Sequence, residues 1–262
     1  MSEDFTMDES LDPAQRELTY VHKVYNEIAE HFSDTRYKPW PVVTSFLQSR
    51  TSGSVGIDVG CGNGKYLGLR EDLYMIGSDR SSGLIGCAKD LGKEVMVSDG
   101  LSLPHPNNRF DFAISIAVIH HFSTPERRTQ AIAEILSKLR SGGEVLLYVW
   151  ALEQEKSRRG YKEGDPQDVL VPWVLQKKVP KRVKQVQRRK GDPKPEPKTE
   201  EQLRIEAEEE EKRKEAAKDE TKFRYYHLYQ KGELEQNAEA AGGIVVSGGY
   251  ERDNWYAIIR KP

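Results

Sequence analysis

The sequence predicts an α/β fold built around a seven-stranded mixed sheet. Short, almost wholly apolar strands alternate with helical segments over residues 54–150, a pattern typical of parallel strands covered by helices on both faces. The last two strands are joined by residues 248–253 alone. Because so short a link cannot cross the sheet, these two strands must pair antiparallel as a hairpin.

The elements follow one another in chain order. Two helices come first, at 14–33, where apolar side chains recur at helical spacing, and at Trp40–Leu47, which begins among Pro39 and Pro41. The five parallel strands are predicted at Ser54–Val59, Tyr74–Ser78, Glu94–Val97, Phe110–Ile119 and Glu144–Trp150. The helices between them are predicted directly after Gly60–Gly64, at Leu84–Leu91, and at Pro125–Leu139 with Gly142 and Gly143 ending it. The last elements are an aromatic-rich stretch, a helix stopped by Gly242 and the hairpin strands, at Phe223–Tyr229, Gly232–Ala241, Ile244–Ser247 and Asn254–Ile259.

Charge is concentrated in one part of the chain. Of the 72 residues from 151 to 222, 37 are acidic or basic, against 45 of the other 190. We therefore predict a single domain over 1–262 that is interrupted at 155–222 by a charged, partly disordered insertion.

The insertion is basic first and acidic afterwards. Residues 155–198 hold 14 basic and 6 acidic side chains, and residues 199–222 hold 6 basic and 10 acidic ones. We expect Lys177–Glu220 to be disordered or a solvated helix, and the apolar Val169–Leu175 to dock on the domain.

Several classes of protein are excluded. No stretch reaches the ~18 apolar residues that a membrane helix needs, and the acidic N-terminus lacks the apolar core of a signal peptide. Two cysteines, Cys61 and Cys87, cannot build a disulfide framework or a cysteine-rich zinc site. We expect a cytoplasmic protein without a metal of its own.

A nucleoside site is predicted where the first three strands end. The run Asp58-Val-Gly-Cys-Gly-Asn-Gly64 follows strand one, and glycines there let the backbone approach a ligand. Asp79 ends strand two, where an acid accepts the ribose hydroxyls, and Asp99 ends strand three, placed to hold an adenine amino group. A tight turn and two solvated acids are the alternative interpretation.

The glycine spacing and Asp58 identify the nucleoside. A nicotinamide cofactor calls for Gly-x-Gly-x-x-Gly, whereas this loop reads Gly-x-Gly-x-Gly, and Asp58 would repel a pyrophosphate but suits a cationic amine. The chain resembles the class I S-adenosylmethionine-dependent methyltransferases, a Rossmann-like fold, over about 190 residues. The expected cofactor-binding residues are Tyr25, Asp58, Gly60, Cys61, Gly62, Gly64, Asp79, Arg80, Asp99, Gly100 and Ile116.

Two histidines follow strand four, close to the expected position of the transferred methyl group. We expect His120 or His121 to line the site, the alternative being that one packs and the other caps the next helix. Trp150 ends strand five, where it either stacks on a base or packs in the core.

Four stretches sharpen the resemblance. Residues 24–36, 117–122, Arg224-Tyr-Tyr-His227 and 251–255 together resemble the eukaryotic tRNA wobble-uridine carboxymethyl methyltransferases. The resemblance implies methyl transfer to the carboxylate of 5-carboxymethyluridine at position 34 of tRNA, giving the methyl ester.

A carboxylate has a pKa of about 4, so it is already ionised and needs no strong general base. We expect Arg36 and His120 or His121 to be the catalytic residues that orient it, with a neutral histidine donating to the reacting oxygen and Arg36 further out. Tyr25 is expected to close over the cofactor.

The RNA side is expected to use cations and stacking faces against the anticodon loop. The candidate substrate-binding residues are Trp150, Tyr226, His227, Arg252, Asp253 and Asn254. The basic stretch Lys177–Lys190 either grips phosphates or is a solvated linker.

The resemblance also implies a heterodimer with a small zinc-binding activator protein, which adds a strand to the sheet edge at Glu94–Val97. Three rival functions stay open: a small-molecule methyltransferase, a non-catalytic scaffold that binds tRNA or a partner, and a nicotinamide dehydrogenase, which the glycine spacing disfavours.

Overall fold

The computed structural model describes residues 6–36, 38–155, 157, 159–175 and 219–262, with 199, 201, 204 and 208. A seven-stranded sheet forms its centre. The strands are β1 (Val55–Val59), β2 (Tyr74–Asp79), β3 (Val95–Val97), β4 (Phe110–Ile116), β5 (Leu139–Trp150), β8 (Ile244–Tyr250) and β9 (Asn254–Arg260). Their order is β3-β2-β1-β4-β5-β9-β8. The first five run parallel and β9 pairs antiparallel with both β5 and β8, so the predicted mixed sheet and hairpin are confirmed.

Helices cover the sheet on both faces. They are α1 (Pro13–Glu17), α2 (Lys23–Glu27), α3 (Ala29–Thr35), α4 (Pro41–Gln48), α5 (Ser82–Asp90), α6 (Pro125–Lys138) and α7 (Glu233–Ala240), with a π-helical turn at Leu18–His22 and a 3₁₀ turn at Ile119–His121. The first predicted helix is therefore segmented, and it bends at Ile28, whose φ of −96° and ψ of 3° lie outside the helical range. The hydroxyl of Ser81 accepts from the Leu84 amide and caps α5, and Thr124 caps α6 in the same way.

The strand β5 shows how the core is divided. Val145 and Leu147 face one apolar cluster, which includes Ile132 and Ile135 of α6. Leu146 and Tyr148 face the other, which includes α4. Because alternate residues of a strand point to opposite faces, a strand buried on both sides reads as a continuous apolar run, as the sequence does here.

Some predicted elements differ from the structure. No helix follows the glycine run: successive turns do, because Gly60, Gly62, Gly64 and Gly68 all have positive φ. Strand four ends at Ile116 rather than Ile119, since Ala117 takes a left-handed φ of 62°.

The helix α6 ends at Lys138 and not at the glycine pair. Leu139 is extended and fully buried, and it pairs with Phe110, which draws the chain directly into β5. Gly142 and Gly143 therefore lie within the irregular start of that strand.

Two further strands involve the predicted insertion at 155–222, the first within it and the second across its end. β6 (Asp168–Leu175) and β7 (Glu220–His227) form a separate two-stranded sheet. As predicted, the start of the apolar stretch docks: Val171 is fully buried in a cluster with Leu152 and Leu228.

The chain divides into two compact units, Met1–Val171 with Phe223–Pro262, and Pro172–Lys222. Most of the second unit, including the predicted phosphate grip at 177–190 and the disorder predicted over 177–220, lies outside the described residues. No helix in the described part of the chain is long and apolar enough to span a bilayer.

Candidate active site

A cavity of about 680 Å³ opens where the parallel strands end. The residues after β1, β2, β3, β4 and β5 all contribute to its wall, as do the N-terminal helices and the β8–β9 turn. This is the crevice in which open parallel sheets bind their ligands. Of the predicted site residues, those that line it are Tyr25, Arg36, Gly60, Cys61, Gly62, Asp79, Arg80, Asp99, Gly100, Ile116, His121, Trp150, Tyr226, Arg252, Asp253 and Asn254.

The glycine loop forms one wall of the cavity. The amides of Gly60 and Cys61 both donate to the Ser78 carbonyl, at 2.7 and 2.9 Å, which folds the loop over the end of β2. A Cβ on Gly60 would lie 2.2 Å from a methyl group of Val118, so only glycine allows this approach. Gly64 lies outside the cavity wall, and its conformation serves the turn instead.

Asp79 ties this loop to the end of β2. One carboxylate oxygen accepts from the Gly62 amide at 2.9 Å and the other from the Ser81 amide at 2.8 Å. Arg80 lies 3.7 Å from Asp99, the acid that follows β3. Two acids and the glycine loop thus surround one part of the cavity, as a nucleoside site requires.

Asp58 is buried beneath the loop and does not line the cavity. Neither of its oxygens has a hydrogen-bond partner within the described residues. Burial, and then the neighbouring Asp79, raise the pKa of Asp58 to about 8. A buried carboxyl group without a partner fits a nearby cationic ligand, and so fits the amino acid part of S-adenosylmethionine.

His121 lies on the opposite wall, where the direction of its hydrogen bonds is settled by its partners. Its Nδ1 is 2.8 Å from the carbonyl oxygen of Tyr225, which can only accept, so Nδ1 carries the proton. Burial lowers the pKa of His121 to about 3, so the ring is neutral and Nε2 accepts from the Tyr25 hydroxyl at 3.0 Å. Nε2 is thus an acceptor in this arrangement, not the donor that we expected.

A buried cation stands beside these groups. Arg224 lines the cavity and donates from Nη1 to the hydroxyls of Tyr226, at 2.8 Å, and Tyr25, at 3.2 Å. The two hydroxyl oxygens are 3.2 Å apart. Arg224 lies in one of the four stretches that resemble the family, but it is not among the predicted site residues. The signal that could have found it is strand alternation, which turns Arg224 and Tyr226 to the same side of β7.

Besides Asp58 and Gly64, the structure places two more predicted residues, His120 and His227, away from the cavity. His227 neighbours Tyr226 on β7, so alternation turns it to the other face, where it contacts Asp168 and Glu233. His120 is fully buried behind His121, with its Nδ1 accepting from the Trp150 amide at 3.0 Å and its ring stacked on Tyr226. Adjacent positions in a tight turn point apart, so only one of the two histidines reaches the site.

The cavity mouth combines aromatic and charged groups. The Trp150 ring packs 4.4 Å from that of Tyr226, and Arg36 is exposed at the rim. Arg252 and Asp253 take left-handed φ values of 49° and 62°, which ordinary residues adopt at a cost of about 1–3 kcal/mol. Such strain concentrates at functional sites, and both residues line the cavity.

Comparison with known proteins identifies the family. Residues 57–147 match the family described as a methyltransferase domain. A tRNA (carboxymethyluridine(34)-5-O)-methyltransferase of Saccharomyces cerevisiae is 53% identical, over 95% of this chain and 98% of its own. A protein of the same name from Schizosaccharomyces pombe is 52% identical, over 94% of this chain and 97% of its own. The chain belongs to the tRNA (carboxymethyluridine(34)-5-O)-methyltransferases.

The predicted family, enzyme class and substrate are thereby confirmed: the reaction methylates the carboxylate of 5-carboxymethyluridine at tRNA position 34. The cofactor is S-adenosylmethionine. Among solved structures, one chain of the complex between the Haloferax volcanii Trm112 methyltransferase activator and a methyltransferase matches with a TM-score of 0.53. That match is 11% identical and covers 93% of this chain and 98% of the other, so it shows the Rossmann-like fold alone.

Proposed function

We propose that the cavity works as two halves, one for the cofactor and one for the ionised carboxylate of the wobble nucleoside. The observation that carries this proposal is the group formed by Arg224, Tyr25 and Tyr226 beside His121. A buried guanidinium group with two hydroxyls at its tip is a favourable place for an anion, because its hydrogen bonds to a carboxylate are charge-assisted.

The two hydroxyls of this group leave one donor for the substrate. Tyr25 donates to His121, whose Nε2 carries no proton. Burial raises the pKa of Tyr226 far above its ordinary value, so its hydroxyl keeps a proton that can turn towards a carboxylate oxygen. Arg224 donates to both hydroxyls, so a tyrosine hydroxyl separates its positive charge from the reacting oxygen. That distance limits stabilisation of the anionic ground state relative to the ester-like transition state.

On the cofactor side, we assign Asp79 to the ribose hydroxyls and Asp99 to the adenine amino group. We assign Asp58, which lies beneath the loop and outside the cavity wall, to the charge of the ammonium group. The supporting facts are their positions around the glycine loop and the unpartnered oxygens of Asp58. When bound, S-adenosylmethionine supplies an electrophilic sulfonium methyl group. The protein's own contribution is to orient the carboxylate in line with it and to exclude water.

At the mouth, we assign Trp150, Arg252, Asp253, Asn254 and Arg36 to the anticodon loop. The supporting facts are the exposed cations and the aromatic face at the rim, since unpaired bases stack on aromatic rings and phosphates pair with cations.

We also propose a heterodimer with a small zinc-binding activator that adds a strand at β3. This strand is one edge of the sheet, and its Met96 and Val97 side chains are 37% and 48% exposed. A solved structure of the same fold is a complex between a methyltransferase and a methyltransferase activator. Cys61 and Cys87 are both free thiols, which suits the cytoplasmic location that we propose.

The half of the cavity that we assign to the substrate carboxylate is called the acceptor half. A pair of substrates tests it directly. Anticodon stem-loops with 5-carboxymethyluridine and with its neutral carboxamide analogue differ by one charge at the same size. We expect the carboxamide to bind at least tenfold more weakly to the wild-type chain, and the difference to shrink in Arg224→Gln. Equal binding of the two stem-loops by the wild-type chain would show that this half does not recognise the anion.

A further inference from the structure

A second polar cluster lies behind the strand that carries Arg224 and Tyr226. Its centre is His227, which is 5% exposed. Nδ1 of His227 is 2.9 Å from Oδ1 of Asp168, and Nε2 is 2.7 Å from Oε1 of Glu233. Carboxylate oxygens accept, so both ring nitrogens donate and the imidazole is a cation. Burial alone would lower the pKa of His227, but the hydrogen bonds to the two carboxylates outweigh it and raise that pKa.

The cluster is joined to the active site through Tyr225. The Tyr225 hydroxyl donates to the same Oδ1 of Asp168 at 2.5 Å, and the ring is fully buried. The backbone carbonyl oxygen of Tyr225 accepts from Nδ1 of His121 at 2.8 Å. Three consecutive contacts therefore lead from His227 through Asp168 and Tyr225 to the histidine that orients Tyr25.

Residues on neighbouring elements also contact this cluster. Gln167 donates to Oε2 of Glu233 at 2.8 Å, and Arg128 of α6 lies 3.9 Å from Oε1 of the same residue. The Tyr229 ring packs edge-on against His227 at 5.2 Å. Because Glu233 begins α7, the cluster also ties β7 to that helix.

We propose that His227 is a positioning residue for the methyl transfer. Held between Asp168 and Glu233, it seats Tyr225 so that the Tyr225 carbonyl fixes the orientation and the Nδ1–H tautomer of His121. The unprotonated Nε2 of His121 then accepts from Tyr25, whose hydroxyl oxygen faces Arg224 and Tyr226. This inference rests on the acceptor half proposed above, and it places no atom of His227 in contact with the substrate.

The test is a double-mutant cycle, measured by steady-state kinetics on the full chain with the proposed activator. His227→Gln should lower kcat by about 10- to 100-fold, with the KM for tRNA and the binding of S-adenosylmethionine within about twofold, because misplaced rather than missing groups are the cause. In a His121→Ala background, the same change should have no further effect. The control is His105→Gln, another buried histidine, whose ring packs on Phe110 at the other end of the sheet. It should leave kcat unchanged in both backgrounds.

A second variant and a spectroscopic readout separate positioning from loss of stability. Tyr225→Phe removes one oxygen and keeps the carbonyl, and it should reproduce the kcat loss of His227→Gln. The ¹⁵N shifts of His121 should report the Nδ1–H tautomer in the wild-type chain and a mixture of tautomers in His227→Gln. An unchanged tautomer, or a loss of kcat that persists in the His121→Ala background, overturns the proposal. If His121→Ala itself keeps full activity, the acceptor half fails, while the tautomer measurement still decides the positioning role.

Discussion

The chemistry of the site depends on a few side chains whose neighbours settle their protonation. His121 is neutral because burial lowers its pKa to about 3, and the Tyr225 carbonyl holds its proton on Nδ1. Burial holds the pKa of Tyr226 far above its ordinary value, so that hydroxyl keeps its proton. Tyr25 donates to His121, and Arg224 donates to both hydroxyls. The site therefore needs no group to change protonation during the reaction, which suits an acceptor that is already ionised.

Arg224 is the first residue to test. Arg224→Gln removes the charge from the acceptor half, and we expect kcat/KM for tRNA to fall by roughly 30- to 100-fold, about 2–3 kcal/mol, the range for hydrogen bonds to charged groups. Steady-state kinetics with a 5-carboxymethyluridine stem-loop measures this. The control is Arg50→Gln, whose side chain pairs with Glu144 outside the cavity and should leave kcat/KM within twofold. Equal effects of the two variants would contradict the assignment.

Asp58 links the cofactor site to stability. Its pKa is raised to about 8 in the folded chain, against about 4 when unfolded, so ionisation favours the unfolded state. We expect the unfolding free energy of the ligand-free chain to decline as the pH rises from about 4 to about 8 on account of this group. Asp58→Asn, which resembles the protonated acid, should remove that decline and stabilise the chain at pH 8 by about 1–3 kcal/mol.

The same variant should bind S-adenosylmethionine more weakly, since the amide cannot pair with a cation. Urea unfolding at several pH values and calorimetric titration with the cofactor measure the two effects. A chain that gains no stability at pH 8, or that binds the cofactor as before, would contradict the role given to Asp58.

At the level of the elements, the way each strand ends determines which side chains line the cavity. Alternation along β7 sends Arg224 and Tyr226 to the cavity and sends Tyr225 and His227 to the cluster behind it. The tight turn between β8 and β9 places Arg252 and Asp253 at the mouth at the cost of two left-handed residues. The two edges of the sheet, β3 and β8, carry exposed apolar side chains.

In the β8–β9 turn, we expect Arg252 to lower the free energy of unfolding while it strengthens RNA binding. Arg252→Gly relieves a left-handed φ of 49° and removes a cation, so we expect the unfolding free energy to rise by about 1 kcal/mol. The tRNA affinity should fall, and the slope of log affinity against log salt should decrease by about 0.7–0.9, one phosphate contact. A salt titration of tRNA binding with thermal unfolding measures both. An unchanged slope would remove Arg252 from the RNA interface.

The two sheet edges provide a matched test of the activator surface. Val97→Lys on β3 should abolish co-purification with the activator, because a charge at the edge opposes strand addition. Val246→Lys makes the same change on β8, at a side chain that is 42% exposed, and should leave the complex intact. The reverse outcome would move the activator to the other edge.

At the scale of the whole molecule, the sequence predicts the sheet well because each strand contains a local apolar run, and the final hairpin follows from a link of six residues. The position of the candidate cofactor site is predictable for the same reason: the glycine loop follows β1, Asp79 ends β2 and Asp99 comes shortly after β3. The acceptor half is harder to predict. Arg224 and Tyr226 enter on a strand that follows the charged insertion, and only its pairing with β6 shows which face they occupy.

The errors at His120 and His227 have one cause. Each has a neighbour in the cavity, His121 or Tyr226, and the sequence alone does not say which of two adjacent side chains points inwards. The structure adds the partners that decide: the Trp150 amide holds His120 in the core, and two carboxylates hold His227 behind β7.

We propose that the methyl transfer to the wobble carboxylate takes place in this cavity. The most direct measurement incubates the chain and the proposed activator with methyl-labelled S-adenosylmethionine and bulk tRNA from cells that lack this activity. We expect label on tRNA as an ester that mild alkali releases, and its loss in Arg224→Gln. Label that resists alkali, or no label while the activator is bound, would contradict the claim.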